Sequence, residues 1–372
     1  MRLLAAMLLL LALTLPVGAA DTLYSPADFD TDAILDALPE SVRDTLPREI
    51  FAPDGFAEKF SAAYFLERIG EAVQAALTPS LGVAARALGC VLIASALTAA
   101  KGLFRADSTA ALFEFVSGLA ILLVVYESAA SLVETARLYL TELSGIVTAM
   151  VPVLLAVETA GGNLGGAAAS SGGMMLALAI VETLAAQGLF PVLRMSFGLL
   201  AAAGIGGSAC PGLAGISRLV RNIFTWLFGI AAAVISGVMS FQHVIAVRAD
   251  SLSMRAVKFA AAQAIPVAGG IAADAAGAVA GSLSLVRATV GTVGVILIAL
   301  LTLPVLVQVL LARMGVVIAG TAAEVLGLSR EKELLGETAG LLGFLAAVCV
   351  IAALMFVYAL TLFAKTAAAM GA

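Results

Sequence analysis

Apolar residues along this chain gather into long stretches instead of alternating with polar ones, and short runs rich in charge or glycine separate the stretches. A stretch of about 20 mostly apolar residues crosses a bilayer as a helix, and shorter ones fit re-entrant or broken segments. Such stretches fall at residues 81–100, 111–130, 143–157, 174–206, 223–241, 265–286, 290–311 and 341–363, the 265–286 one being weak and rich in alanine and glycine. The 174–206 stretch holds Pro191 and Arg194. It reads as one long kinked helix or as two short ones meeting at Gln187-Gly188. The pattern predicts an all-α, polytopic helical membrane protein with about 7–9 transmembrane or re-entrant helices, because only closed backbone hydrogen bonding survives in lipid.

The first eighty residues follow other patterns. Residues 1–20 read as a signal peptide, with Arg2 as the basic start, residues 3–15 as the apolar core and Gly18-Ala19-Ala20 as the small-residue cleavage site. An uncleaved first helix is the alternative, and either way the next segment is exported. Residues 21–80 form an acidic extracytoplasmic arm, with twelve Asp/Glu, Asp28, Asp30, Asp32 and Asp36 among them, against Arg43, Arg48, Lys59 and Arg68. Within it Phe56, Phe60, Ala63, Leu66, Ile69, Val73 and Leu77 mark one helical face. That face predicts an amphipathic helix, lying on the outer leaflet or docking a partner domain. Residues 81–372 form the multispan domain, with Lys101 and Arg105 placed inside by the exported arm, as positive-inside bias requires.

Composition settles the solvent. The chain is 62% hydrophobic and 12% charged, with a mean hydropathy of +1.10, whereas soluble domains carry about 25% charged residues. The net charge of −5 resides in the arm, since residues 81–372 hold fifteen basic and thirteen acidic residues. No basic patch interleaves with aromatics, so nucleic-acid binding has no support. Cys90, Cys210 and Cys349 are widely spaced and give neither a disulfide framework nor metal-ligand spacing. His243 stands alone, and no nucleophile elbow, zinc-protease helix or paired catalytic carboxylates occur, so we expect no enzyme, no cofactor and no metal. The run from Gly161 to Gly173 lacks the Gly-Lys-Ser/Thr ending of a phosphate loop. Gly277 with Gly281, and Gly336 with Gly340, have the spacing that lets helix backbones approach closely, within the chain or between copies.

Charge inside apolar surroundings marks candidate chemistry. Arg248, Ser251, Arg255 and Lys258 form one helical stripe that Asp250 leaves, followed by Pro266 as a break and Gly269-Gly270 as a close-approach point. The stripe lines an aqueous path, meets a partner, or snorkels to headgroups. Asp274 and Glu182 each lie in apolar stretches and are expected to face a lumen or a partner, with Arg194 as one candidate partner, whereas Glu158 reads as a span-edge residue reaching water. Candidate pore-lining or gating residues are therefore Arg248, Asp250, Arg255, Lys258, Asp274 and Glu182, and candidate hinge or packing residues are Pro191, Pro266, Gly269, Gly270, Gly277 and Gly281.

Lys258-Phe259, Ile265-Pro266-Val267, Gly269 to Asp274, Thr289-Val290-Gly291 and Gly294-Val295 resemble the stage III sporulation protein AE family of endospore-forming bacteria. The resemblance covers most of residues 80–365. It implies a multispan subunit of a transport or channel complex that links mother cell and forespore and supports forespore development. It implies as partners other membrane proteins of the same sporulation operon, and location in the mother-cell membrane facing the forespore. It carries over no catalytic residues. We therefore expect a homo-oligomeric conduit packed through Gly-rich faces in the lipid bilayer, with a membrane scaffold and a stand-alone secondary transporter as the alternatives.

Overall fold

The computed structural model describes residues 28–29, 31–43, 46, 50–51, 62–101, 107–160, 164–206, 213–264 and 269–370, with side chains excluded at 41, 62, 101, 107–114, 125, 164–166, 169–170, 184–186, 201, 203–206, 213–214, 243, 245–264, 269–281 and 364–370. Every regular element among them is helical. Two short helices, α1 (Asp32–Asp36) and α2 (Glu40–Arg43), precede α3 (Ala62–Lys101) and α4 (Asp107–Ala160). Then come α5 (Leu164–Thr183), a π-helical turn (Leu184–Leu189), α6 (Phe190–Gly206), α7 (Leu213–Ala264), α8 (Gly269–Val325) and α9 (Ser329–Met370). Six segments among the described residues are long and apolar enough to span a membrane: one in each of α3, α4, α7, α8 and α9, and one across α5–α6.

Several expected breaks are continuous helix. The stretches 111–130 and 143–157 belong to the single helix α4. Glu134, Arg137 and Glu142 between them are good helix formers, Glu134 pairs with Arg137 one turn on, and no Gly or Pro interrupts 131–142, so nothing there ends a helix. The described parts of 265–286 and 290–311 likewise lie on α8, which carries Pro304 in its interior. The arm boundary at residue 80 falls inside α3, one residue past Pro79. The amphipathic face that ends at Leu77 is thus continuous with the 81–100 stretch on one helix, and Ile69, Val73 and Ala76 pack on Leu303, Val307 and Leu311 of α8.

The α8–α9 hairpin is the centre of the bundle. Both helices are apolar on all sides and buried over most of their spans, as a helix enclosed by other helices should be. Their turn is set by Gly327 at φ 74°, whose N–H bonds Glu324 C=O at 3.0 Å while Leu328 N–H bonds Ala323 C=O at 2.9 Å. This glycine-ended helix stop then buries Leu328. Lys332 pairs with Glu324 across the turn.

The other helices surround this hairpin in fixed directions. Ser117 bonds Glu331 at 2.9 Å, and Ser240 bonds Tyr358, so α4 and α7 run alongside α9. Gly315 meets Ala84, so α3 runs alongside α8. Tyr126 meets the Phe197 ring edge-on, placing α6 against α4. The arm is not detached: Ile34, Leu38, Val42, Ile50 and Phe51 are buried in the main core, and α1 and α2 touch α4 and α8.

Two glycine contacts test this packing. A Cβ on Gly315 would lie 2.8 Å from Ala84 Cβ and 3.3 Å from its Cα, atoms that cannot rotate away. A Cβ on Gly294 would meet the flexible ends of Met150 and Leu360. Gly315→Ala should therefore destabilise by about 1–3 kcal/mol, and Gly294→Ala by less because methionine repacks. Thermal unfolding in detergent reads the order, and a Gly294→Ala protein less stable than Gly315→Ala would contradict the α3–α8 packing.

Candidate functional site

Charge marks the depth of each helix. Residues 288–312 of α8 and 338–364 of α9 contain no Asp, Glu, Lys or Arg. At about 1.5 Å per residue each run exceeds the roughly 30 Å of hydrocarbon. Near the centre of both runs, Tyr139 of α4 reaches Thr302 Oγ at 3.0 Å and Cys349 C=O at 3.2 Å, all fully buried. Thr302 donates its own proton to Ile298 C=O at 2.6 Å, so the tyrosine hydroxyl is the donor in the cluster. Tyr139 therefore sits near mid-depth.

The opposite face of α4 is polar across that depth. Tyr126, Glu134, Arg137, Thr141 and Thr148 are all exposed there. Glu134, Thr141 and Thr148 recur every seven residues, one face of an α-helix. Arg137 grips Glu134 through Nη2 at 2.6 Å and Nε at 2.9 Å.

This face forms one wall of a cleft of 1520 Å³, and α5–α6 form the other. Glu182 and Arg194 project into it from either side of the π turn, with Phe190, Pro191 and Phe197 supplying apolar wall. The break has local causes. Pro191 lacks the N–H that would bond Gln187 C=O, and a Cβ on Gly188 would overlap the Phe224 ring. Phe224 is itself held edge-on by Phe344 at 5.7 Å, so α7 and α9 fix the position of the break. π turns recur at functional sites. Glu134, Arg137, Glu182 and Arg194 give the lining two charges of each sign.

Of the residues expected from the sequence, Glu182, Pro191 and Arg194 meet in this cleft, and no Glu182–Arg194 ion pair forms among the described residues. Arg248, Asp250, Arg255 and Lys258 are on the helical backbone of α7, and Gly269, Gly270, Asp274, Gly277 and Gly281 on that of α8. The side chains of all of these lie outside the described residues, as does Pro266 entirely. Glu158 does not reach water. It is 1% exposed and lies 3.3 Å from Arg287, itself 1% exposed beneath the Phe363 ring.

Reading the sequence alone missed Glu134 and Arg137, because residues 131–142 looked like an interspan loop. The seven-residue recurrence from Glu134 through Thr141 to Thr148 was the available signal. It also missed the ionic cluster at the other end of the bundle. There Glu337, 2% exposed, accepts from Arg221 at 2.8 Å and from Arg218, and Arg221 also donates to Ser217 Oγ at 2.9 Å. Gly340 leaves room for the Arg221 guanidinium, since a Cβ there would lie 2.8 Å from Arg221 Nη2.

The family model described as Stage III sporulation protein AE matches residues 55–367 of this chain. No curated protein and no solved structure matches it.

The ionic cluster predicts an asymmetric pair of variants. Glu337→Ala strands the buried Arg221 charge and should cost about 3–5 kcal/mol. Arg218→Ala removes a cation whose side chain is 64% exposed and should cost about 1 kcal/mol or less. Detergent thermal unfolding compares them, and equal losses would mean that Glu337 is not the buried member.

Proposed function

Because the chain belongs to the stage III sporulation protein AE family, we propose that it is the multispan subunit of a transport or channel complex connecting mother cell and forespore, required for forespore development. Its apolar helices make it a multi-pass membrane protein, and its family gives it a role in sporulation. The conduit reading rests on one observation, the charged cleft at mid-depth between α4 and α5–α6. A charge at the bilayer centre facing lipid costs at least about 2.5–3.5 kcal/mol on insertion scales. Four such groups on facing walls favour water between them.

In the proposed mechanism, copies of the chain assemble in the mother-cell membrane with the arm extracytoplasmic, and the polar face of α4 borders the hydrated path. Partners from the same operon complete the passage. Balanced charge on the described lining gives little selection by sign, which suits small hydrophilic solutes of mixed charge. The protein acts by opening a route and forms no covalent intermediate. The helix broken near mid-depth also favours a second reading, a secondary transporter that binds solute at the break.

Cysteines placed singly in a Cys-free background test the wetted face. Thr141→Cys and Thr148→Cys should react with a membrane-impermeant maleimide in intact membranes, whereas Leu138→Cys, on the apolar flank of α4, should react far more slowly. Equal reaction at all three positions sinks the hydrated-path reading. In sporulating cells, joint substitution of Glu134 and Arg137 by glutamine should arrest forespore development without lowering membrane levels of the protein. Normal spores from that strain would remove α4 from the pathway.

A further inference from the structure

A second, smaller cavity lies on the other side of α4, between α3 and α8. It has a volume of 200 Å³, and its polar lining comes from Ser80, Arg86, Glu127, Ser128, Ser131 and Gln308. Its depth follows from helix geometry. Gln308 is six residues beyond Thr302, and Glu127 twelve before Tyr139. At about 1.5 Å per residue those steps are about 9 and 18 Å from mid-depth, so the cavity straddles the edge of the hydrocarbon, about 15 Å from its centre. It lies toward the C-terminal end of α8, on the same side as Glu331 and Glu337.

Five features show a site built to hold a polar group. Ser80 is 6% exposed, and its Oγ has no hydrogen-bond partner although it borders the cavity. A buried hydroxyl left alone is costly, so an occupant is expected to complete it. Arg86, which lines the cavity, donates Nε to Gly82 C=O at 3.2 Å. Arg86 Nη1 and Glu127 Oε2 are 3.8 Å apart, too long for a hydrogen bond, so cation and carboxylate both keep bonding capacity. Ser128 donates to Val124 C=O at 2.9 Å, which leaves its oxygen free to accept. Pro79 cannot bond the carbonyl of Ala75, so another acceptor stands one turn back on α3.

We propose that this pocket binds the headgroup of a phospholipid bearing a primary amine, phosphatidylethanolamine being the simplest. The phosphate accepts from Arg86 and Ser80. The ammonium donates to Glu127 and the serine oxygens. The acyl chains run from the pocket toward the bilayer centre along α3, where Leu77 is exposed on the central side of Ser80. Glu127 opposes a headgroup with net negative charge, and a quaternary choline has no N–H to give it. The pocket thus selects by hydrogen bonding and balanced charge, unlike the purely basic pockets that take anionic lipid.

The test uses the full chain, delipidated in detergent and titrated with dioleoyl phosphatidylethanolamine, phosphatidylcholine or phosphatidylglycerol, with bound lipid counted by native mass spectrometry. Phosphatidylethanolamine should bind about tenfold more tightly than the other two, the worth of one charge-assisted hydrogen bond. Glu127→Gln should erase its advantage over phosphatidylglycerol, and Arg86→Gln should weaken all three. Water-soluble phosphoethanolamine should compete only weakly, since it lacks the chains. Equal binding of the three lipids by the unmodified chain overturns the proposal. So does unchanged selectivity in Glu127→Gln, or full competition by the soluble headgroup. If Arg86→Gln fails to fold, the unmodified chain and the exposed-site variant Glu127→Gln decide the matter.

Discussion

Everything in this bundle is arranged around the cost of charge away from water. The α8–α9 hairpin is uncharged over residues 288–312 and 338–364, and it is the part most enclosed by other helices. Charge appears only where those runs end. At one end Glu337 collects Arg221 and Arg218 from α7, and at the other Arg287 meets Glu158 from α4. Each pair joins an outer helix to the central hairpin. Sliding α7 by one turn along α9, about 5.4 Å, would take Arg221 away from its place beside Glu337 and Gly340. The pairs therefore act on register, a better-attested role for buried ions than added stability.

Helix α4 then has two unlike faces at one depth. Tyr139 faces inward and closes a hydrogen-bond cluster with Thr302 and Cys349. Arg137, two residues earlier, faces outward into the cleft with Glu134. The inner cluster fixes the rotation of α4, and that rotation alone decides that its polar stripe is presented instead of buried. The break in α5–α6 is held in the same way, because Gly188 fits only against the Phe224 ring that α7 and α9 position. The cleft is thus a product of the rigid centre, though it lies at the edge.

The all-helical membrane character was legible from apolar run length, and so was the kink near Gln187-Gly188 with Glu182 and Arg194 beside it. Family membership was legible from the motifs between Lys258 and Val295. Helix continuity was not. A polar segment such as residues 131–142 looks the same in a loop as in a helix whose one face meets water, and only packing against Thr302 and Cys349 distinguishes them. Pairing was not legible either. Glu158 has the sequence context of a span-edge acid, and its partner Arg287 is 129 positions away. The polar pocket escaped notice for a related reason, since Ser80, Glu127 and Gln308 are unremarkable singly and meet only through three-helix packing.

The three functional readings differ in what must cover the polar face of α4. A stand-alone transporter has to wet it from within one chain, through the cleft at the broken helix. That helix meets the requirement for a break, but the sequence has no evident second, related half to oppose it. A scaffold has to cover the face with partner protein, and then balanced charge in the lining would serve recognition. An oligomeric conduit covers it with water bounded by further copies, and needs neither a repeat nor a complementary partner helix. It also makes sense of a stripe that runs from Tyr126 to Thr148, about 33 Å along α4 and so the full hydrocarbon thickness. A binding site for one solute needs polar groups at one depth, whereas a passage needs them at every depth. The length of the stripe is the reason to prefer the conduit.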